Sequence, residues 1–152
     1  MSFVYHHRIR LHDTDAAGLL FFGHLFRHAQ DACEAFFDDL GWPLSELIAE
    51  RRWLLPLVHA EADYHQAMRH GDAVAVSVEV ARVGQSSFTL AYRFCGPGGR
   101  LLAQARTVHV CIAGDKAASH PLPPRLRAAL QQRLAEVAPH RSDPGPGGTS
   151  DE

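Results

Sequence analysis

Three stretches in the second half of the chain alternate apolar and polar residues, and only one long amphipathic helix is available to cover them. In "DAVAVSVEVARV" the residues Val74, Val76, Val78 and Val80 share one face; in "SSFTLAYRF" it is Phe88, Leu90, Tyr92 and Phe94. "RLLAQARTVHVCIA" predicts a last long strand. Turns around Gly84 and Gln85 and at "GPGG", residues 96–99, join the three as hairpins. A period of two with one apolar face means a sheet with one covered side. The cover is predicted from Phe22 onward, where Phe22, Leu25, Phe26, Ala29, Ala32, Cys33, Phe36, Phe37 and Leu40 recur at steps of three and four. Gly41 and Pro43 end that helix.

Around this nucleus, "FVYHHRIRL" at residues 3 to 11 predicts a first strand and "LSELIAE" a short second helix. "LPLVHAEADYHQA" reads as a mixed strand, and "PPRLRAALQQRLAEV" as a terminal helix with Leu126, Ala129, Leu130 and Leu134 along one side. The order strand, helix, then four antiparallel strands gives an α+β sheet wrapped round one helix. A chain of 152 residues with 46% hydrophobic content suits a single core. That domain is expected over residues 1–137, and residues 138–152, ending "SDPGPGGTSDE", are expected to be disordered by composition. A formal net charge of -2 offers no basic field for nucleic acid or anionic lipid. No apolar run approaches the roughly 20 residues that cross a bilayer, and "MSFVYHHRIR" lacks a signal-peptide core. Cys33, Cys95 and Cys111 are odd in number with no CxxC, so reduced thiols in a cytoplasmic setting are expected.

The chemistry concentrates in "HDTDAAGLLFFGHLF", residues 12 to 26. The plain reading of Asp13 and Asp15 is turn formation and helix capping. Spacing weakens it for Asp15, because the helical stripe begins about seven residues later. The intervening "AAGLLF" is small and then apolar, an arrangement that sets a carboxylate toward a partly dry cleft near helix N-terminal N–H groups. Such groups stabilise an anion, including the oxyanion of acyl transfer.

"DTDAAGLLFFGHLF" resembles the active-site segment of hotdog-fold acyl-CoA thioesterases of the 4-hydroxybenzoyl-CoA thioesterase family, with its D-x-D-x-x-G pattern before an aromatic-rich helix start. "AEADYHQAMRHGDAVAVSVEV" and "GQSSFTLAYRF" extend the resemblance over roughly residues 4 to 113. It implies a hotdog fold and hydrolysis of an acyl-CoA thioester to acid and coenzyme A. Asp15 would be the catalytic carboxylate, as nucleophile or as general base on water. The oxyanion donors would be the backbone N–H of Phe22, with Gly23 beside it. Asp13 would be structural, and Gly18 would permit the tight path between the two elements. The resemblance further implies a homodimer with a continuous sheet, often paired into a homotetramer. Its pocket would be lined by Phe21, Phe22 and the partner's Val58, His59 and Glu61. No metal or redox cofactor is implied.

Some family members carry basic residues in the hairpin at 84–86, where they meet coenzyme A phosphates; this chain has Gly84, Gln85 and Ser86. Nucleotide contacts are therefore expected from Arg82, Ser86 and Arg69. The "AAGLLFF" stretch and Trp53 favour a flat aromatic acyl group, with the hydroxybenzoyl and dihydroxynaphthoyl types first and the quinone-biosynthetic group leading. An aliphatic acyl group is the alternative, and a non-catalytic acyl-CoA binder is the alternative of another class. Hotdog dehydratases use a His motif not found here.

Rival constellations carry less. His24 and His28 have a metal-compatible i, i+4 spacing, but no HExxH follows, and both are predicted on the polar face with Arg27, Asp31 and Asp38. His59, His65 and His70 lie on or beside the mixed strand. No GxSxG elbow supports a serine triad, and Cys33 sits on the apolar stripe, where packing explains it.

Overall fold

The computed structural model describes residues 3–114 and 116–134. Residues 135–137 of the expected domain and the tail at 138–152 lie outside them. The elements in chain order are β1 (Phe3–Arg8), a 3-10 turn (Leu11–Asp13), α1 (His24–Asp39), α2 (Leu44–Glu50), β2 (Trp53–Leu54) and β3 (Leu57–Tyr64). They continue with β4 (Ala73–Val83), β5 (Ser87–Cys95), β6 (Leu101–Val110), β7 (Ile112–Ala113), β8 (Lys116–Ser119) and α3 (Pro124–Gln132). Five strands form an antiparallel sheet in the order β1-β4-β5-β6-β3.

The alternation becomes layers. Val74, Val76, Val78 and Val80 of β4 and Phe88, Leu90, Tyr92 and Phe94 of β5 are all buried on one face. Against that face lies α1, burying Leu25, Ala29, Ala32, Cys33, Phe36 and Phe37. Phe37 meets Phe88 at 5.9 Å between ring centroids, and Phe36 meets Phe3 edge-on at 5.9 Å. The helix ends as expected, with Gly41 at φ +79°, a left-handed conformation that costs a residue with a Cβ but not glycine. Leu126 and Leu130 of α3 close the core. No helix among the described residues is long and apolar enough to cross a membrane.

Five boundaries differ from the sequence reading, four of them for a local reason. β1 stops at Arg8 because the Arg10 amide donates to Asp13 Oδ2 at 2.7 Å, which curls residues 11–13 into a 3-10 turn. α1 begins at His24, because the residues before it are held in a hairpin that Phe21 N–H closes on Asp13 O. The mixed strand is split at Pro56, which has no amide to give a ladder, and β2 leaves for a second sheet with β7 and β8. The last long strand breaks at Cys111, whose amide goes to Ser86 O at 2.7 Å. α3 ends at Gln132 and leaves Ala129 only half-buried.

The β4–β5 turn packs against the chain that leads into α3. Ser86 is half-buried, and Gln85 O accepts from the Leu122 amide at 2.9 Å. Inside, Tyr92 Oη, Thr107 Oγ1 and His109 Nε2 form a polar chain with steps of 3.1 and 3.0 Å, and His109 stacks on Phe88. Burial pushes the Cys33 thiol up to about 11, in keeping with a packing role.

Candidate active site

The segment between β1 and α1 is a small hairpin. Asp15 N–H donates to Leu19 O at 2.8 Å, Thr14 pairs with Leu20, and Phe21 N–H donates to Asp13 O at 2.9 Å. At the tip, Asp15 Oδ1 accepts from the amides of Ala17 at 2.8 Å and Leu19 at 3.2 Å. The turn closes through Gly18, whose φ of +77° is left-handed. The second carboxylate oxygen, Oδ2, has no hydrogen-bond partner among the described residues. Asp15 is exposed in the protomer, so the cleft expected around it is not closed by its own chain. Its position follows from the ladder, which leads from Asp15 straight to the start of α1.

Asp13 does the anchoring. Its side chain is fully buried, takes the Arg10 amide and pairs with the Arg27 guanidinium. The hairpin docks on the segment before β4 through Leu20 N–H to Met68 O at 2.8 Å and a Leu19–Arg69 bridge. Arg69 thus flanks the Asp15 turn.

At the helix start the amides of Phe22 and Gly23 have no acceptor among the described residues, as expected for the first turn of a helix. Phe22 and Phe21 are exposed, at 67% and 43%. The Phe22 carbonyl is not free: it accepts from the Tyr64 hydroxyl at the end of β3. Sequence reasoning missed Tyr64, because its partner is a backbone atom on another element.

β3 is an edge strand, with Leu57 and Val58 exposed at 49% and 59%. Its register with β6 divides the predicted pocket residues. Glu61 pairs with Arg106 on the sheet's outer face, while Ala60, Ala62 and Tyr64 pair with Thr107, Ala105 and Ala103 on the face turned to α1. His59 bonds Glu61 at 3.3 Å across that outer face, as residues two apart on a strand do. These two residues therefore do not share the face that carries Tyr64. Val58 falls at a bulge in the pairing.

The other predicted groups are dispersed. Arg82 sits near the far end of β4, about 30 Å from the strand's start beside the Asp15 turn at roughly 3.3 Å per residue, and Ser86 lies in the turn beyond it. Trp53 lies under Arg52 in a cleft of about 420 Å³ with Trp42, Glu46 and Arg125, beyond the C-terminal end of α1. It is thus remote from Asp15, at the helix's N-terminal end. A smaller apolar cavity of about 140 Å³ opens between α1 and the start of β3, lined by Cys33, Phe37, Leu44, Leu55 and Leu57 with Gln30 and His109 as polar groups.

His28 corrects the expectation of a polar helix face. It is buried and stacks on His7 at 4.1 Å, with Asp13 Oδ1 3.3 Å from its Nε2. The first turns of α1 lie over β1, so this side of the helix faces protein rather than water. Among the described residues no group of three or more His, Cys, Asp or Glu side chains is arranged to hold a metal. Burial and the neighbouring His28 hold His7 at about 4, below the ordinary 6.5. Burial and Arg27 also lower His28, opposed by Asp31. As pH falls through 6.5 toward 4, the unfolded chain takes up these protons and the folded chain resists them, so stability declines over that window. The expected result is a Tm that drops between pH 7 and pH 5, and drops less in His7→Phe, which keeps the stack. Identical pH profiles for the two proteins would remove His7 from the account.

Residues 9–130 match the family model described as the thioesterase-like superfamily. Among curated relatives, a 1,4-dihydroxy-2-naphthoyl-CoA hydrolase of Synechococcus elongatus is 35% identical over 124 residues, covering 81% of this chain and 90% of the relative. One from Synechocystis is 30% identical over 130 residues, covering 85% and 94%. Among solved structures, a 1,4-dihydroxy-2-naphthoyl-CoA thioesterase from Synechocystis superposes with a TM-score of 0.81 at 30% identity, covering 86% of this chain and 96% of that one. A gentisyl-coenzyme A thioesterase gives 0.76 at 31% identity, covering 84% and 98%.

Proposed function

This chain belongs to the thioesterase-like superfamily, and from that premise we propose that it hydrolyses an aromatic acyl-CoA to the free acid and coenzyme A. The relatives act on a dihydroxynaphthoyl and a gentisyl thioester by name, and both are hydroxylated aromatic acids. The observation that carries the reading is the Asp15 turn. Among the described residues one carboxylate oxygen holds the turn, the other is unclaimed, and the same hairpin ends at two unclaimed amides.

In the proposed reaction Asp15 either attacks the thioester carbonyl, expelling the coenzyme A thiolate and leaving a mixed anhydride that water then opens to the free acid, or draws a proton from a water whose oxygen adds to that carbonyl and displaces the thiolate, which leaves protonated as coenzyme A. The carbonyl oxygen, as it gains charge, meets the N–H groups of Phe22 and Gly23. Coenzyme A enters as part of the substrate, and the mechanism calls on no metal or redox group.

A second copy completes the site in this proposal. The unpaired edge of β3 with exposed Leu57 and Val58 invites a strand from another chain. Antiparallel pairing about the middle of β3 would set the partner's residues 57–59 beside residues 62–64, next to Phe22. It would also bring the 140 Å³ cavity at the Leu57 end toward the other chain's Asp15 turn. That volume is roughly the size of a cavity that admits a benzene ring. The partner's hairpin end, with Arg82 and Ser86, would then stand on the side of the molecule that carries this chain's Asp15, and Arg69 would already be there. A homodimer is the assembly proposed, with a homotetramer as its pairing.

The test is a panel of thioesters, aromatic (benzoyl, gentisyl, 1,4-dihydroxy-2-naphthoyl) against aliphatic, read by release of free thiol. Aromatic members are expected to exceed aliphatic ones by about tenfold or more in kcat/KM, the scale on which an apolar pocket discriminates shape. A preference for long aliphatic chains would overturn the aromatic assignment. If every thioester stays intact at high enzyme concentration, hydrolysis itself is wrong.

A further inference from the structure

Two peptide groups supply the unclaimed amides at the start of α1, and each needs its plane held if its N–H is to meet a developing charge. In the first, the Phe21 carbonyl accepts the His24 amide at 2.9 Å, which orients the N–H of Phe22. In the second, the Phe22 carbonyl is offered only a long contact from the Leu25 amide, at 3.4 Å. Its close donor is the Tyr64 hydroxyl, reaching from the end of β3, 42 residues away in sequence.

We propose that Tyr64 is a positioning residue for the hydrolysis: by donating its hydroxyl to the Phe22 carbonyl, it fixes the Phe22–Gly23 peptide so that the Gly23 N–H points at the oxyanion. The proposal rests on the hydrolase reading above and extends it to a residue that does not touch the substrate's reacting atoms. The peptide is planar and trans, so its C=O and N–H point in opposite directions. A donor on the carbonyl therefore sets where the N–H points. It also polarises the amide, since hydrogen bonds in a chain strengthen one another. A fixed dipole pays no reorganisation when charge develops, which is how such donors accelerate acyl transfer.

The placement of Tyr64 fits that work. Its side chain leaves β3 on the face turned to α1, opposite to His59 and Glu61. It ties the exposed helix start to the edge strand on which the proposed partner would pair. Burial raises its phenol pKa above the ordinary 10, so the group remains a neutral donor across the working range.

The experiment compares wild type with Tyr64→Phe, which removes one oxygen from a part-exposed ring. With the best aromatic thioester of the panel, kcat is expected to fall about tenfold with KM within twofold, because the lost contact acts in the transition state and not in binding. The Phe22 carbonyl carbon resonance is expected to move upfield in the variant, and Tm to stay within a few degrees. A kcat within twofold of wild type would overturn the proposal, as would a loss appearing wholly in KM. An unmoved Phe22 carbonyl resonance would do the same, and it can be read whether or not the chain hydrolyses anything. An inactive wild type, by contrast, sinks the hydrolase reading, and with it the catalytic role of Tyr64, even where the resonance still reports the tie.

Discussion

Asp15→Asn is expected to cut turnover by about 10³-fold or more while leaving the fold and coenzyme A binding in place. The asparagine side chain keeps an oxygen where Asp15 Oδ1 now accepts the amides of Ala17 and Leu19. The turn therefore survives the substitution. What disappears is the negative charge and basicity of the second oxygen. Losing the group that attacks, or that takes the proton, commonly costs 10² to 10⁴ in rate, and the oxyanion donors cannot replace it. Steady-state kinetics gives the fall in kcat, and calorimetric titration with coenzyme A shows whether binding is retained. Turnover within tenfold of wild type would mean that another group does the chemistry, and the reading of this turn as the reactive centre would go with it.

Asp13→Ala should produce the larger structural effect, a loss of about 3 kcal/mol in stability. Asp13 is fully buried and serves two neighbours at once, the Arg10 amide at 2.7 Å and the Arg27 guanidinium, with the His28 ring packed 3.3 Å away. Alanine leaves the Arg10 donor without its acceptor and Arg27 without its counter-charge. Arg27 is part-exposed and can rehydrate, which keeps the cost below that of breaking a wholly buried pair. For a chain of this size the loss corresponds to a Tm lowered by roughly 6–12 °C. Activity should fall as well, because the Asp13 side chain anchors, through the Arg10 amide and Arg27, the base of the hairpin that leads from Asp15 to the helix start. A thermal melt checks the first effect and the thiol assay the second. If Tm moves by less than about 2 °C, the hairpin is held by its backbone ladder and its docking on Met68, and the buried carboxylate is dispensable.

Much of this was legible because it is local. The helix of Leu25, Ala29, Ala32, Cys33, Phe36 and Phe37 declares itself by a step of three and four, and β4 and β5 by a step of two. Each period is a statement about one face of one element. The departure of β2 and β7 into a second sheet escaped detection, because a strand of two residues is too short to show a period of its own. The burial of His28 escaped for another reason: helical spacing says which residues share a face, but not what that face meets near the helix end.

The site divides along the same line. The Asp15 turn was readable, since two acids, a glycine and an apolar helix start lie within one short segment. The strand that meets it was not. Which of His59, Glu61 and Tyr64 faces the helix depends on the register of β3 with β6, and a one-residue slip would exchange them.

Sequence alone therefore determined the architecture of one helix under one antiparallel sheet and the turn that carries Asp15, because side-chain periodicity and turn chemistry act between near neighbours. Tertiary structure alone decided that Asp13 is the buried anchor and that Tyr64 holds the Phe22 carbonyl. Those contacts join atoms on different elements, and only the packed register of strand, hairpin and helix brings them within hydrogen-bonding reach.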